Sequence, residues 1–151
     1  MIGCGSPEGG DDAAGPLAVR AVRARVGPQV EVVETGSPLR VLDLLEGADV
    51  VIVVDAVRST GGGRAPGTLV RAKADGSAAL PAELRSSLSS HGLGLAEALG
   101  LAAALGPVPR VVFHGVEVGT AQTGAPLSPA VEAALPALVD AVAASVEEAS
   151  G

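Results

Sequence analysis

Three short stretches of the chain carry side chains that bind metals or move protons. "GSPEGGDDAAG" (5–15) holds Glu8, Asp11 and Asp12, "VVDAV" (53–57) holds Asp55, and "SSHGLG" (89–94) holds His91. A carboxylate from the first, the Asp55 carboxylate and a neutral imidazole would make a mixed oxygen and nitrogen donor set. Such a set is acceptable to nickel, zinc, iron or manganese, with a position left for water or substrate, and it selects none of them by affinity alone. A metal held this way polarises a peptide carbonyl or brings the pKa of bound water toward neutrality.

Each of these residues also has a plainer reading. Asp11 or Asp12 can cap the helix that follows, accepting backbone N–H bonds at its positive end for about 1 kcal/mol. His91 reads equally as a hydrogen-bonded residue at a helix start. Asp55 is harder to dismiss, because a carboxylate closing a run of buried valines is costly unless it is paired or ligating. His114, inside "VVFHGV", reads as a satisfied or partly exposed sheet histidine. Cys4 is the only cysteine of the chain; it allows no internal disulfide or Cys-rich metal site, reads as a small buried residue at a strand end, and suits the cytoplasm.

The elements that must position these groups follow from periodicity. "DDAAGPLAVRAVRARV" spaces Leu17, Val19, Val22 and Val26 as a helix beginning near Asp12, with Pro16 in its first turn. "VEVVET" (30–35) reads as a short strand, and "PLRVLDLLEG" (38–47) as a helix closed by glycine. "DVVIVVDAV" (49–57) has the unbroken Val/Ile content of a central strand covered on both faces. "STGGGRAPGT" (59–68) reads as a surface loop, since it lacks the Lys-Ser/Thr ending of a phosphate-binding P-loop.

"TLVRAKA" (68–74) places charges on alternate positions, as an edge strand does. "GLAEALGLAAAL" (94–105) reads as an amphipathic helix, "RVVFHGVEV" (110–118) as a strand, and "SPAVEAALPALVDAVAASVEEA" (128–149) as a long helix kinked at Pro136. The opening "MIGCG" reads as the last residues of a strand, which leads us to expect a shortened start. Strands alternating with helices imply one α/β domain over 1–151, a layered sandwich with a largely parallel sheet and helices on both faces, made mixed by the edge strand. Ligands in such folds collect beyond the carboxyl ends of the strands. All three chemical stretches are expected at that rim.

Composition excludes several classes. A net charge of −7, from 10 Lys and Arg against 17 Asp and Glu, disfavours a phosphate-tracking surface, and Phe113 as the sole aromatic leaves no base-stacking platform. We expect no nucleic-acid partner. No apolar run reads as the roughly 20 residues of a membrane span, so no membrane insertion is expected. The G-x-S-x-G elbow of serine hydrolases and the H-E-x-x-H helix of common zinc proteases are both absent.

"GCGSPEGGDDAAG", "ETGSP", "VIVVDAV", "SSHGLGLAEAL" and the late "GVEVG…LSPAV" occur in an order and spacing that, over essentially the whole chain, resembles the hydrogenase maturation proteases, endopeptidases that trim the large subunit of nickel-iron hydrogenases. The resemblance implies a five-stranded, helix-flanked α/β sandwich. It also implies that Asp12, Asp55 and His91 are the metal ligands and catalytic residues. The implied partner is the hydrogenase large-subunit precursor, and the implied metal is nickel supplied by that precursor, with other divalent metals able to substitute in vitro. The implied reaction is removal of a C-terminal peptide from the nickel-loaded subunit.

Ser6 stands where that family usually has Asn, and Asp12 where relatives carry Glu or Asp. Asp11 is expected to cap the helix or tune the charge around Asp12. Glu34 stands at a strand end beside the cleft, lining it, supporting it or playing no part. Specificity is expected in the loops around 58–67 and 74–90. The competing readings are a nickel-binding chaperone or sensor that cleaves nothing, and a structural subunit whose rim binds a partner.

Overall fold

Val51, Ile52, Val53 and Val54 are all 5% exposed or less, the double-sided burial that a run of branched side chains calls for. They belong to β3 (Val50–Val57), the middle strand of the sheet. The computed structural model describes residues 1–37, 39–58, 63–75, 95–119 and 123–151. In chain order the other elements are β1 (Ile2–Cys4), a 3-10 turn (Gly10–Ala13), α1 (Ala14–Arg23), β2 (Val33–Thr35), α2 (Arg40–Leu45), β4 (Leu69–Ala74), α3 (Leu95–Leu105), β5 (Arg110–Glu117) and α4 (Pro129–Ser150). The strands lie in the order β2-β1-β3-β5-β4, with β4 alone antiparallel to its neighbour.

Alternate residues of the central strands sort the core into two layers. Ile52, Val54, Val112 and Val116 meet Ala18, Val19 and Val22 of α1 and Leu138, Val139, Val142 and Val146 of α4. Val51, Val53, Val57, Val111 and Phe113 meet Val41 and Leu45 of α2 and Leu95 and Leu99 of α3. Each such side chain contributes roughly 1.5–3 kcal/mol of burial, so the layers fix β3 and β5 tightly in register. The single-sheet, mostly parallel sandwich expected from the sequence is what forms.

Three expectations need correction. The strand expected over 30–35 is only Val33–Thr35, because Gly27 to Val30 forms a turn first. The helix Leu95–Leu105 is not cleanly amphipathic: Glu97 is its one charged residue, and Leu101 and Leu105 are 47% and 80% exposed. Contrary to the reading of no membrane-length run, Pro129–Ser150 is long and apolar enough to cross a bilayer by length and composition. Its buried stripe packs instead on α1 and the sheet, as a core helix does. That helix is continuous through Pro136.

The chain leaves β1 for β2 on one side and returns to β3 on the other. The gap above β1 and β3 is therefore the point where successive connections diverge, and folds of this kind have their ligand crevice there, at the strand carboxyl ends.

Candidate metal centre at the carboxyl ends of the strands

Asp12 is held over that crevice by backbone contacts that only glycine permits. Gly5 leaves β1 with φ +132° and passes so close to the Asp12 carbonyl oxygen that no side chain fits. Gly15 brings the start of α1 directly onto the Cys4 and Val54 carbonyls, its own Cβ position lying 2.5 Å from the latter. The loop then closes on itself, with Gly9 N–H donating to Ser6 O at 3.0 Å and Asp12 N–H to Gly9 O at 3.2 Å. Ser6 N–H donates to Asp12 Oδ2 at 2.8 Å. Oδ1 carries no hydrogen bond among the described residues.

Asp55 ends the buried run of β3, opposite Gly115 of β5, and keeps only part of its surface open. Burial first, and the Asp12 charge second, push its carboxyl well above the usual carboxylate range, opposed by a hydrogen bond from the Ala56 backbone. The same two carboxylates, after burial itself, push the Cys4 thiol up, so Cys4 stays protonated and unreactive, as its plain reading holds. Neither Asp12 nor Asp55 has a salt-bridge partner among the described residues. Two neighbouring carboxylates without a cation among the described residues suit a bound one, which would reverse the repulsion.

Two of the three expected ligands are thus brought together, while His91 lies outside the described residues. Among the described residues no group of three His, Cys, Asp or Glu side chains is arranged to hold a metal. The other candidates sort plainly. Neither Asp11 nor Asp12 caps α1, whose first turn has no side-chain cap; Asp11 instead accepts a hydrogen bond from Ser128 N–H at 2.6 Å.

Glu34 does not line the crevice but forms a two-pronged pair with Arg20 of α1, at 2.9 and 2.7 Å, which holds its carboxyl below the usual range. His114 is the satisfied sheet histidine expected, 2% exposed and 2.8 Å from Ser145 Oγ. The loops expected to carry specificity are only partly described. Within the first of them, Arg64 Nε pairs with the buried Glu117 at 3.3 Å, and Arg58 donates to Gly119 O, so both guanidinium groups anchor this loop to the end of β5.

Sequence reading missed the partner of Asp11 and the packing glycines; the dense Gly content of 3–15 was the available signal. A cleft of about 380 Å³, lined in part by Val30, Leu44, Val50 and Val146, lies at the amino ends of the strands and contributes nothing to the carboxylate pair.

Comparisons with known proteins meet this geometry. A family model described as hydrogenase maturation protease matches residues 18–145, beginning just after Asp12. The hydrogenase maturating endopeptidase HybD from Escherichia coli is similar over 98% of this chain and 91% of its own, with a TM-score of 0.81 and 27% identity. The hydrogenase 2 maturation peptidase of a Thaumarchaeota archaeon is 26% identical over 96% of this chain and 95% of its own, with a TM-score of 0.66. A maturation protease HybD from Thermococcus kodakarensis, at 23% identity and a TM-score of 0.68, shares the fold. A comparison with curated protein sequences gives no match. With the family model spanning most of its length and the same overall fold, the chain belongs to the hydrogenase maturation protease family.

Proposed function

We propose that this protease removes a C-terminal peptide from the nickel-loaded large-subunit precursor of a nickel-iron hydrogenase, with Asp12, Asp55 and His91 completing the coordination of the precursor's nickel. The observation that carries this reading is the pair of neighbouring carboxylates, without a salt-bridge partner among the described residues, at the β1/β3 crevice. Asp12 Oδ2 is held by Ser6 N–H, which fixes the side chain and leaves Oδ1 without a hydrogen bond among the described residues. Asp55 comes from a central strand packed on both faces, so its carboxylate is presented with little freedom to lose.

Nickel in this position would supply Lewis acidity to the scissile carbonyl. The chain's part is to bind, orient and discriminate. A precursor without the cation leaves Asp12 and Asp55 repelling each other across the crevice, whereas a loaded precursor relieves that repulsion. The charge pair therefore favours substrate that already carries its metal. The metal arrives with the substrate, other divalent ions of similar donor preference can replace it in vitro, and the protease acts in the cytoplasm.

Intact-mass analysis of a loaded and a nickel-free large-subunit precursor, each incubated with wild-type protein or Asp55→Ala, tests this reading. The expected result is loss of one discrete C-terminal peptide only where wild-type protein meets loaded precursor, with Asp55→Ala slower by roughly 10²-fold or more. Equal trimming of the nickel-free precursor, or by Asp55→Ala, overturns it.

A further inference from the structure

Asp11 and Asp12 are consecutive acidic residues of one 3-10 turn, yet their carboxylates serve opposite sides of it. Asp12 accepts from Ser6 N–H and lies near enough to Asp55 for their charges to interact. Asp11 is 5% exposed, and its Oδ1 accepts the Ser128 N–H at 2.6 Å from a position 117 residues away in sequence. Ser128 is the residue that starts α4, with φ −64° and ψ 152°, and its own side chain makes no capping bond. Its hydroxyl is buried without a partner. The start of the longest helix therefore draws its cap from a carboxylate in the first loop. A second bond runs alongside, Gly124 N–H to Glu8 O at 2.7 Å.

The turn bearing Asp12 is thus clamped from two directions. On the sheet side, Gly15 and Gly3 let α1 settle onto β1 and β3. On the outer side, α4 is packed along the sheet by Leu138, Val139, Val142 and Val146, so its first residue is a fixed point. A carboxylate bonded there is stabilised by the backbone N–H and the positive helix end. This also holds the Asp11 charge away from Asp12, which a freely rotating neighbour would not do.

We infer that Asp11 is a positioning residue for the reaction: by capping α4 at Ser128 it fixes the turn that aims Asp12 into the crevice. The inference rests on Asp12 being a ligand for the substrate's metal, as proposed above. Its geometric half is independent of that reading, because Ser6 N–H reports directly on where Asp12 points.

Three variants separate position from mere stability. Asp11→Ala removes the acceptor. Ser128→Pro removes the donor without changing a side chain in the first loop, and the φ of −64° at that residue already suits proline. Asp11→Asn keeps an oxygen acceptor and loses the charge. Amide hydrogen exchange at Ser6, with β5 amides as internal reference, is followed beside kcat and KM for trimming of the loaded precursor.

Asp11→Ala and Ser128→Pro are expected to speed Ser6 exchange about tenfold or more with β5 unchanged. They should lower kcat roughly ten- to hundredfold at near-constant KM, and the double variant should be no worse than either single one. Asp11→Asn should restore both readouts most of the way. Unchanged Ser6 exchange in folded Asp11→Ala overturns the inference, as does faster exchange with unaltered kcat. If wild-type protein fails to trim loaded precursor, the proposed function falls, while the Ser6 readout still decides whether Asp11 positions Asp12.

Discussion

Asp55 and His114 sit one register step apart on neighbouring central strands, Asp55 opposite Gly115 and His114 opposite Val54, yet they face different layers and have opposite fates. His114 lies under α4 in a closed network. Its Nε2 meets Ser145 Oγ at 2.8 Å, Arg71 donates to the same hydroxyl at 3.0 Å and to Glu148 at 2.8 Å, and Lys73 approaches Glu148 at 3.5 Å. Asp55 lies at the crevice with another carboxylate before it and no cation among the described residues. A satisfied polar cluster ties elements together; an unsatisfied one of like charge remains where something from outside completes it.

The largest expected effect breaks the open side of this contrast. Gly15→Ala drives a methyl group into the Cys4 and Val54 carbonyls, so α1 must lift from the sheet and carry the Asp12 turn with it. We expect a loss of roughly 1–3 kcal/mol or more, read by urea unfolding, together with loss of precursor trimming. A Gly15→Ala protein as stable and active as wild type would show that the close approach of α1 does not hold the pair together.

The closed network should reveal itself through pH. Burial first, and the nearby Arg71 charge second, lower the His114 pKa from 6.5 to about 4, with Glu148 opposing. The folded state therefore prefers the neutral ring, and between those values the unfolded chain binds more protons. Stability contributed in this way is present above pH 6.5, falls as the pH drops toward 4 and is flat below that. The loss is at most about 3 kcal/mol. Urea unfolding at pH 7.5 and 4.5 should show this slope in wild type and a shallower one in His114→Gln; identical slopes would remove His114 as its source.

The smallest effect sharpens the comparison. Asp55→Asn deletes the charge that burial and Asp12 both disfavour, so the variant should melt a few degrees higher, about 1 kcal/mol, while losing trimming activity. A lower melting temperature would mean that the Asp55 charge is structurally compensated, like the groups around His114.

Much of this was legible in the residues. The Val/Ile run of β3 could only be a doubly covered strand, and the alternation of Arg71 and Lys73 with Ala72 and Ala74 marked the strand at the sheet edge. The outward charges of that strand proved to be directed at Glu148 of α4, which no local pattern contains. Asp55 was suspect from sequence because a carboxylate at the end of buried valines needs a reason.

The Asp11 cap was assigned to the wrong helix, and the readings left open for Glu34 named no partner, for one physical reason. Local spacing shows which helix is nearest along the chain, not which helix end or guanidinium arrives through space. Asp11 found α4 rather than α1, and Glu34 found Arg20 rather than the crevice.

By itself, then, the sequence determined the strands and helices, the two-layer burial and the kinds of donor at the rim, because these depend on periodicity and on the cost of burying charge. Only the tertiary structure decided that Asp12 lies near enough to Asp55 for their charges to interact, that Asp11 bonds the start of α4, and that His114 meets Ser145. Those outcomes depend on strand order and on backbone approach at Gly5 and Gly15, and both are set by contacts between segments distant in the chain.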